Sequence, residues 1–398
     1  VQAFDPEGAK EASHLLKDID FKSGAYDAAK QTFTLSLEQT VPPTPGQSAK
    51  EAMHIPLKMG LLLENGSEAA LTAVSGADMT DDVLHLTERK QTVVFSGIPS
   101  RPVPSFNRSF SAPINLHIEQ SADDLALIAH HESDLFARWQ ALNAIALGNL
   151  VEATSNVRAG KPVTSDKALI DGLIRAAADD SLEPAFRSQA LALPSESDIA
   201  REIGTNNDPD AIHAARQQIL TDVAVAGRDT FLKLADELVS SGEFSPDAAS
   251  AGRRALRNSA LTYLVQAEDG PERAAKAFAA ANNMTDLSHA LALLAHRFPD
   301  SAEAAEALAT FRTRFADNAL VIDKWFAVQA TIPGAGTLDR IKALMDEPLF
   351  NGNNPNRVRS LVGTYAFANP TGFNRADGEG YRFLARQILD IDPRNPQL

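Results

Sequence analysis

Nine histidines are the side chains of this sequence best suited to bind a metal or move a proton. A helical zinc-peptidase site needs His at i and i+4 with a Glu between them, so that both imidazoles face one ion. His130-His131-Glu132 lacks that spacing, because adjacent helical residues point about 100° apart. His289 and His296 share a helix face but lie two turns apart, about 10 Å along the axis, too far for one ion. His54, His85 and His117 fall in expected strands and could meet across a pair of sheets, although nothing in the sequence requires it. Satisfied structural histidines are the default. Cysteine is absent, which removes disulfides and thiolate sites. No Gly-rich phosphate loop follows a strand, and no Gly-x-Ser-x-Gly elbow is present. With 52 acidic residues, a pair of carboxylates carries no information. We expect no catalytic residue, no metal site and no cofactor in this chain.

One segment breaks a rule of helix electrostatics. Asn353-Asn354-Pro355-Asn356-Arg357-Val358-Arg359-Ser360 reads as a helix start, with Asn354 at the cap and Pro355 in the first turn. Arg357 and Arg359 then lie near the positive end of the helix dipole, which costs roughly 0.3–1 kcal/mol for each exposed cation. Either both arginines pair with acids on a neighbouring helix, or they present charge to a ligand or another domain.

The elements that would position these residues fall into two kinds. Thr32 to Leu37 alternates with period two, as a strand with one buried face does. His54 to Leu63, Val83 to Leu86, Gln91 to Phe95 and Ile114 to Ile118 are further strands, with an Asn-Gly turn signal at Asn65-Gly66. Val41-Pro42-Pro43-Thr44-Pro45-Gly46 must be a connection. Near Gln120 the period switches to 3.6. Ser121-Ala122-Asp123-Asp124 opens a helix, and helices follow to the end, among them Asp134–Leu150, one opened by Asp208-Pro209, Ala251–Val265, Asp286–Phe298, Ala302–Phe315 and Asp323–Ala330. Their links are short and carry Pro, Gly, Asn or Asp, so neighbours pack antiparallel. The expected fold is mainly α with an N-terminal β domain: an Ig-like β-sandwich over 26–119, then an irregular HEAT/armadillo-like array over 120–398. Residues 1–25 are ambiguous, and Pro6 to Asp20 could form a short helix.

At 398 residues with 44 % hydrophobic side chains, the chain can build two or three cores. A net charge of −15 argues against nucleic acid and anionic membranes as partners. No run is long enough to span a bilayer, and no signal peptide is visible. Lack of cysteine fits a reducing, cytoplasmic setting, and a cysteine-free secreted protein would fit it too. The first residue is Val and not Met, so the chain reads as a piece of a longer one.

Several stretches together resemble the carboxy-terminal half of the bacterial aminopeptidase N family, zinc exopeptidases of the gluzincin clan. The strongest is the block Asn354-Pro355-Asn356-Arg357-Val358-Arg359-Ser360-Leu361-Val362-Gly363 through Asn369-Pro370, Asp377-Gly378-Glu379-Gly380-Tyr381 and Arg394-Asn395-Pro396-Gln397. Others are Ala281 to Asp286, Asp323 to Phe326 with Gln329-Ala330, Arg254 to Asn258, Phe136 to Trp139 and Phe110 to Pro113. Pro43-Thr44-Pro45 followed by His54-Ile55-Pro56 also fits, and the matches run in family order.

The resemblance implies the family's small β-sandwich and large helical domain only. The His-Glu-x-x-His zinc helix and the Gly-x-Met-Glu-Asn motif belong to a zinc domain that has no counterpart here, so no catalytic residue carries over. Residues 1–25 do not match the family, and relatives continue with further helices beyond Leu398. The implied role is to close over the zinc domain of the same protein and shape a chamber for peptide substrates, with Asn354, Arg357, Arg359 and Tyr381 as candidate wall residues. The rival readings are a free-standing helical scaffold that binds a protein partner on its concave face, and a self-sufficient enzyme with an unseen site.

Overall fold

The computed structural model describes residues 17–239, 244–267 and 269–395. The chain divides by packing into two compact units, Val1–Ile145 and Ala146–Leu398.

Among its described residues the front unit holds nine strands: β1 Lys17–Asp27, β2 Thr32–Thr40, β3 Ile55–Leu62, β4 Val74–Ser75, β5 Asp78–Thr80, β6 Val83–Leu86, β7 Lys90–Ser96, β8 Val103–Phe106 and β9 Ile114–His117. They form a five-stranded sheet in the order β4-β7-β2-β1-β9 and a four-stranded sheet in the order β5-β6-β3-β8. Alternation in β2 does what period two requires: Phe33, Leu35 and Leu37 turn inward. They pack with Val93 and Phe95 of their own sheet and with Ile55, Leu57, Met59 and Leu61 of the other. That single core makes the two sheets a sandwich. Pro104 lies in β8, at an edge of its sheet, where a missing backbone donor is tolerated.

The leading segment differs from one sequence reading. Lys17–Asp20, the end of the stretch read as a possible helix, is strand; the rest of that stretch lies outside the described residues. β1 pairs antiparallel with β2 from Asp18 to Asp27 and parallel with β9, so the sheet begins ahead of Tyr26. Partners on both sides satisfy its backbone, which outweighs a weak local pattern.

Seventeen α-helices follow among the described residues. They are α1 Ala122–His131, α2 Leu135–Arg158, α3 Lys167–Ala178, α4 Pro184–Ala190, α5 Glu196–Ile203, α6 Pro209–Ala226, α7 Arg228–Glu237, α8 Ala248–Leu264 and α9 Gly270–Ala280. Next come α10 Met284–Arg297, α11 Ala302–Phe315, α12 Ala319–Ala330, α13 Thr337–Met345, α14 Pro355–Val358, α15 Thr364–Ala368, α16 Pro370–Phe373 and α17 Glu379–Ile391. The last strand thus ends at His117 and the first helix begins at Ala122, where the sequence period changes. None of these helices is long and apolar enough to cross a membrane.

Caps explain where many helices start. Ser121, Asp166, Ser195, Asp208, Asp247, Asn283, Ser301 and Asn318 each accept a hydrogen bond from a first-turn backbone N–H. Within the rear unit, buried aromatics tie helices through their polar ends. Tyr263 Oη donates to Leu191 O at 2.6 Å, Trp325 Nε1 to Leu308 O at 2.9 Å and Tyr365 Oη to Gly372 O at 2.7 Å.

The packing division falls after Ile145 and not at the end of the last strand, because α1 and the start of α2 are bound to the sandwich. Arg101 donates to both carboxylate oxygens of Asp124 at 2.9 Å. Arg108, 4 % exposed, reaches the Glu132 carboxylate at 3.0 Å and that of Glu68 at 2.5 Å. The corner carrying Arg108 has left-handed backbone at Asn107, Ser109 and Phe110, conformations that cost of order 1–3 kcal/mol each. The Asn107 side chain fixes this corner, accepting from Ala112 N at 3.0 Å and donating to Ala112 O at 3.1 Å.

The Arg101 guanidinium holds the Asp124 carboxyl below the usual carboxylate range. A depressed folded pKa gives stability that is fully present above the unfolded value and is lost as pH falls through the folded one. Acid unfolding followed by circular dichroism should therefore lose one component in Asp124→Asn. An unchanged acid limb would refute the assignment.

Candidate functional site

The Asn354–Arg359 block is held by its own cap. The Asn354 side chain accepts from Asn356 N at 3.0 Å and from Arg357 N at 3.5 Å. After one turn, α14 widens into a π-helical turn over Arg359–Gly363 before α15. Such turns are uncommon and are concentrated at functional sites. Two helical residues apart is about 200°, so the two arginines point to nearly opposite sides.

Arg357 goes inward and is 5 % exposed. Its Nε lies 3.2 Å from Asp323 Oδ1 on α12, without the alignment of a hydrogen bond. Nη2 donates to Ala319 O at 3.4 Å, and the guanidinium sits 5.0 Å from the Phe326 ring centre. Arg357 thus pairs with an acid on a neighbouring helix. Arg359 goes outward and is exposed, beside Val358, Val362, Phe367 and Ile388 on a mainly apolar groove. Phe367 is 87 % exposed and Leu389, on the same helix as Ile388, 73 %.

Asn354 is half-buried at its cap and does not line this groove. Tyr381 stands in the first turn of α17, 53 % exposed and outside the groove lining, with its hydroxyl 2.5 Å from Asn374 Oδ1 and its ring edge-on to Phe373. Of the four residues singled out in the sequence, only Arg359 reaches the groove.

The histidines divide as their spacing allows. His54 Nε2 and His85 Nδ1 meet at 2.8 Å, not across the two sheets but side by side on the exposed face of one, His54 just ahead of β3 and His85 on the adjoining β6. His289 donates from Nε2 to Asn258 O and His296 from Nε2 to Val328 O, each at 3.0 Å. Burial pushes both below the usual histidine pKa. Among the described residues, no group of three or more His, Cys, Asp or Glu could hold a metal ion.

Sequence reasoning missed a second, polar recess in the rear unit. It gathers Glu196 from α5, His213, Arg216 and Gln217 from α6, and His296 and Arg297 from α10. No motif spacing flags residues that come together from three separate helices.

Residues 122–398 match a family model described as a domain of unknown function (DUF3458_C) with ARM repeats, and residues 21–119 match its companion, DUF3458, with an Ig-like fold. This chain belongs to the DUF3458_C family.

Three relatives similar to this chain are each named Aminopeptidase N. The chain is 40 % identical over 331 residues to Aminopeptidase N of Caulobacter vibrioides, covering 82 % of this chain and 37 % of that protein. It is 33 % identical to Aminopeptidase N of Haemophilus influenzae over 94 % of this chain and 43 % of the relative. For Aminopeptidase N of Escherichia coli the identity is 32 %, over 94 % of this chain and 42 % of that protein. Among solved structures, aminopeptidase A of Legionella pneumophila in complex with aspartic acid superposes with a TM-score of 0.79 at 26 % identity, covering 96 % of this chain and 43 % of that one. The resemblance to aminopeptidase N read from the motif blocks is thereby established. The chain spans less than half the length of the curated relatives it matches.

Proposed function

We propose that this chain is the non-catalytic carboxy-terminal region of a zinc metallo-aminopeptidase, and that it closes over and shapes the chamber in which peptides lose their N-terminal residues. The observation that carries this reading is similarity to aminopeptidases N along 94 % of the chain, in a segment with no candidate metal cluster among its described residues. Zinc and the hydrolytic step belong, on this reading, to a separate domain of the same cytoplasmic protein. That domain and the peptide substrate are the partners.

The four wall candidates then have different parts. Arg357 anchors the π-helical turn through its stem against Phe326, with Asp323 answering its charge. Arg359 brings a planar cation to the edge of an apolar groove, chemistry suited to a peptide carboxylate or carbonyl beside apolar side chains. Asn354 keeps the turn in register, and Tyr381 offers a polar tip on the neighbouring helix.

The test uses the natural full-length protein. Arg359→Ala should raise KM for tri- and tetrapeptides by roughly tenfold, the loss of one charge-assisted contact, and leave a one-residue anilide unchanged. Equal kinetics on both substrate classes would remove Arg359 from the chamber. Turnover of the anilide by residues 1–398 alone would overturn the non-catalytic reading.

A further inference from the structure

We propose that the recess walled by His213, Arg216, His296 and Arg297 is an oxyanion-binding site, taking a carboxylate or a phosphate group. It is independent of the reading above and lies wholly in the rear unit.

The argument begins with charge. In this unit Arg187, Arg273, Arg312 and Arg357 each have a carboxylate within ion-pairing distance. Arg216 and Arg297 have none among the described residues, in a chain with 52 acids to 37 bases. Arg216 donates from Nε to Pro194 O at 2.9 Å and from Nη2 to Leu193 O at 3.4 Å, neutral acceptors, and feels the Glu196 carboxylate only from beyond ion-pairing distance. Arg297 donates from Nη1 to Gln217 Oε1 at 2.6 Å, while its Nε is shut off from solvent with no partner. Burial pushes both guanidinium groups below the usual arginine value: for Arg216 it outweighs the attraction of the Glu196 carboxylate, and for Arg297 nothing offsets it.

Glu196 is the carboxylate of the recess, and its Oε1 lies 2.7 Å from His213 Nδ1. The two arginines therefore outnumber the acid, and that acid is engaged by an imidazole. The histidine on α10 is near enough to His213 for their charges to oppose each other, so a protonated form of either makes the recess more positive still. With a volume of about 430 Å³, the recess has room for a four- or five-atom anion and its water. Cations without an ion-paired acid are what a bound oxyanion corrects, and guanidinium offers it two parallel donors.

Titration calorimetry of the full chain with inorganic phosphate and, separately, with succinate at low ionic strength tests the site. Saturable binding of at least one anion is expected, with affinity lowered at least about tenfold in Arg297→Gln and partly restored in Arg297→Lys. Arg253→Gln, on an exposed stretch of α8, should bind as the parent does. Because Arg216→Gln could disturb the turn at Leu193, thermal unfolding in phosphate provides a second readout: the parent should gain Tm and Arg297→Gln should not. Phosphate alone binding assigns the site to phosphate, and succinate alone assigns it to carboxylates. No saturable binding of either, or unchanged affinity in Arg297→Gln, overturns the proposal.

Discussion

Arg108→Ala lowers the stability of the front unit by about 3–5 kcal/mol, the usual result of removing one partner from a buried ion pair. The Glu132 carboxylate is fully covered and accepts from Arg108 Nε at 3.3 Å and Nη2 at 3.0 Å. Without Arg108 its negative charge has the Asp134 backbone N–H, at 2.9 Å, and little else. The pair also justifies the strained corner from Asn107 to Phe110, which turns the arginine inward. Gly60 supplies an internal control. A Cβ built there comes 2.1 Å from Arg108 Nη2, and the three nearest atoms all belong to that guanidinium. Gly60→Ala should therefore be strongly destabilising in the parent and nearly silent in Arg108→Ala. Urea unfolding of the two single variants and the double measures the coupling. Additive effects would mean that Gly60 is required for some reason other than the arginine, and a loss below about 1 kcal/mol for Arg108→Ala would place the pair in the class of weak surface contacts.

The sandwich was readable where burial imposes alternation and unreadable where it does not. In β2 the inward residues Phe33, Leu35 and Leu37 sit at every second position, so the strand is visible from local sequence alone. Lys17-Asp18-Ile19-Asp20-Phe21-Lys22-Ser23-Gly24 puts charges and a glycine among its apolar residues, and its register slips between Phe21 and Ser23. Its strand character comes from two neighbours distant in the chain, β2 and β9, which no local pattern reports. Helix starts were readable for the opposite reason. Ser121, Asp208 and Asn354 act on backbone groups two or three residues away, so cap and helix lie in one short window.

The site was legible only in part. Two arginines in a first turn correctly marked a segment with an electrostatic problem, and the acid that answers Arg357 came, as one reading required, from a neighbouring helix. The spacing of two already sends the arginines to opposite sides of a helix, but which of them turns inward, and the π-helical turn that begins at Arg359, have no composition signature. The recess at Arg216 and Arg297 was wholly invisible. Arg297 and its partner Gln217 are 80 residues apart, and what distinguishes these cations is the absence of an ion-paired acid among the described residues, a property of three dimensions.

The Arg357–Asp323 contact allows a prediction in which the two partners are unequal. Asp323→Ala should cost about 3–5 kcal/mol, whereas Arg357→Met should cost less than about 1.5 kcal/mol. The arginine is 5 % exposed, and its Nε and Nη1 have no aligned hydrogen bond. Loss of Asp323 leaves a buried cation with only a long bond to Ala319 O and the face of Phe326. Loss of Arg357 is gentler. The Asp323 side chain keeps 17 % of its surface in solvent and a contact with Ser360 Oγ, so its charge can hydrate. Methionine fills the place of the arginine stem against Phe326 and needs no partner. The charge-free double variant Asp323→Leu, Arg357→Met should recover most of what Asp323→Ala loses, because it removes the orphaned cation itself. Denaturant midpoints of the four proteins decide the matter. If Arg357→Met is the more damaging single change, the arginine contributes through its charge and not through its stem, and the segment's register would then rest on electrostatics.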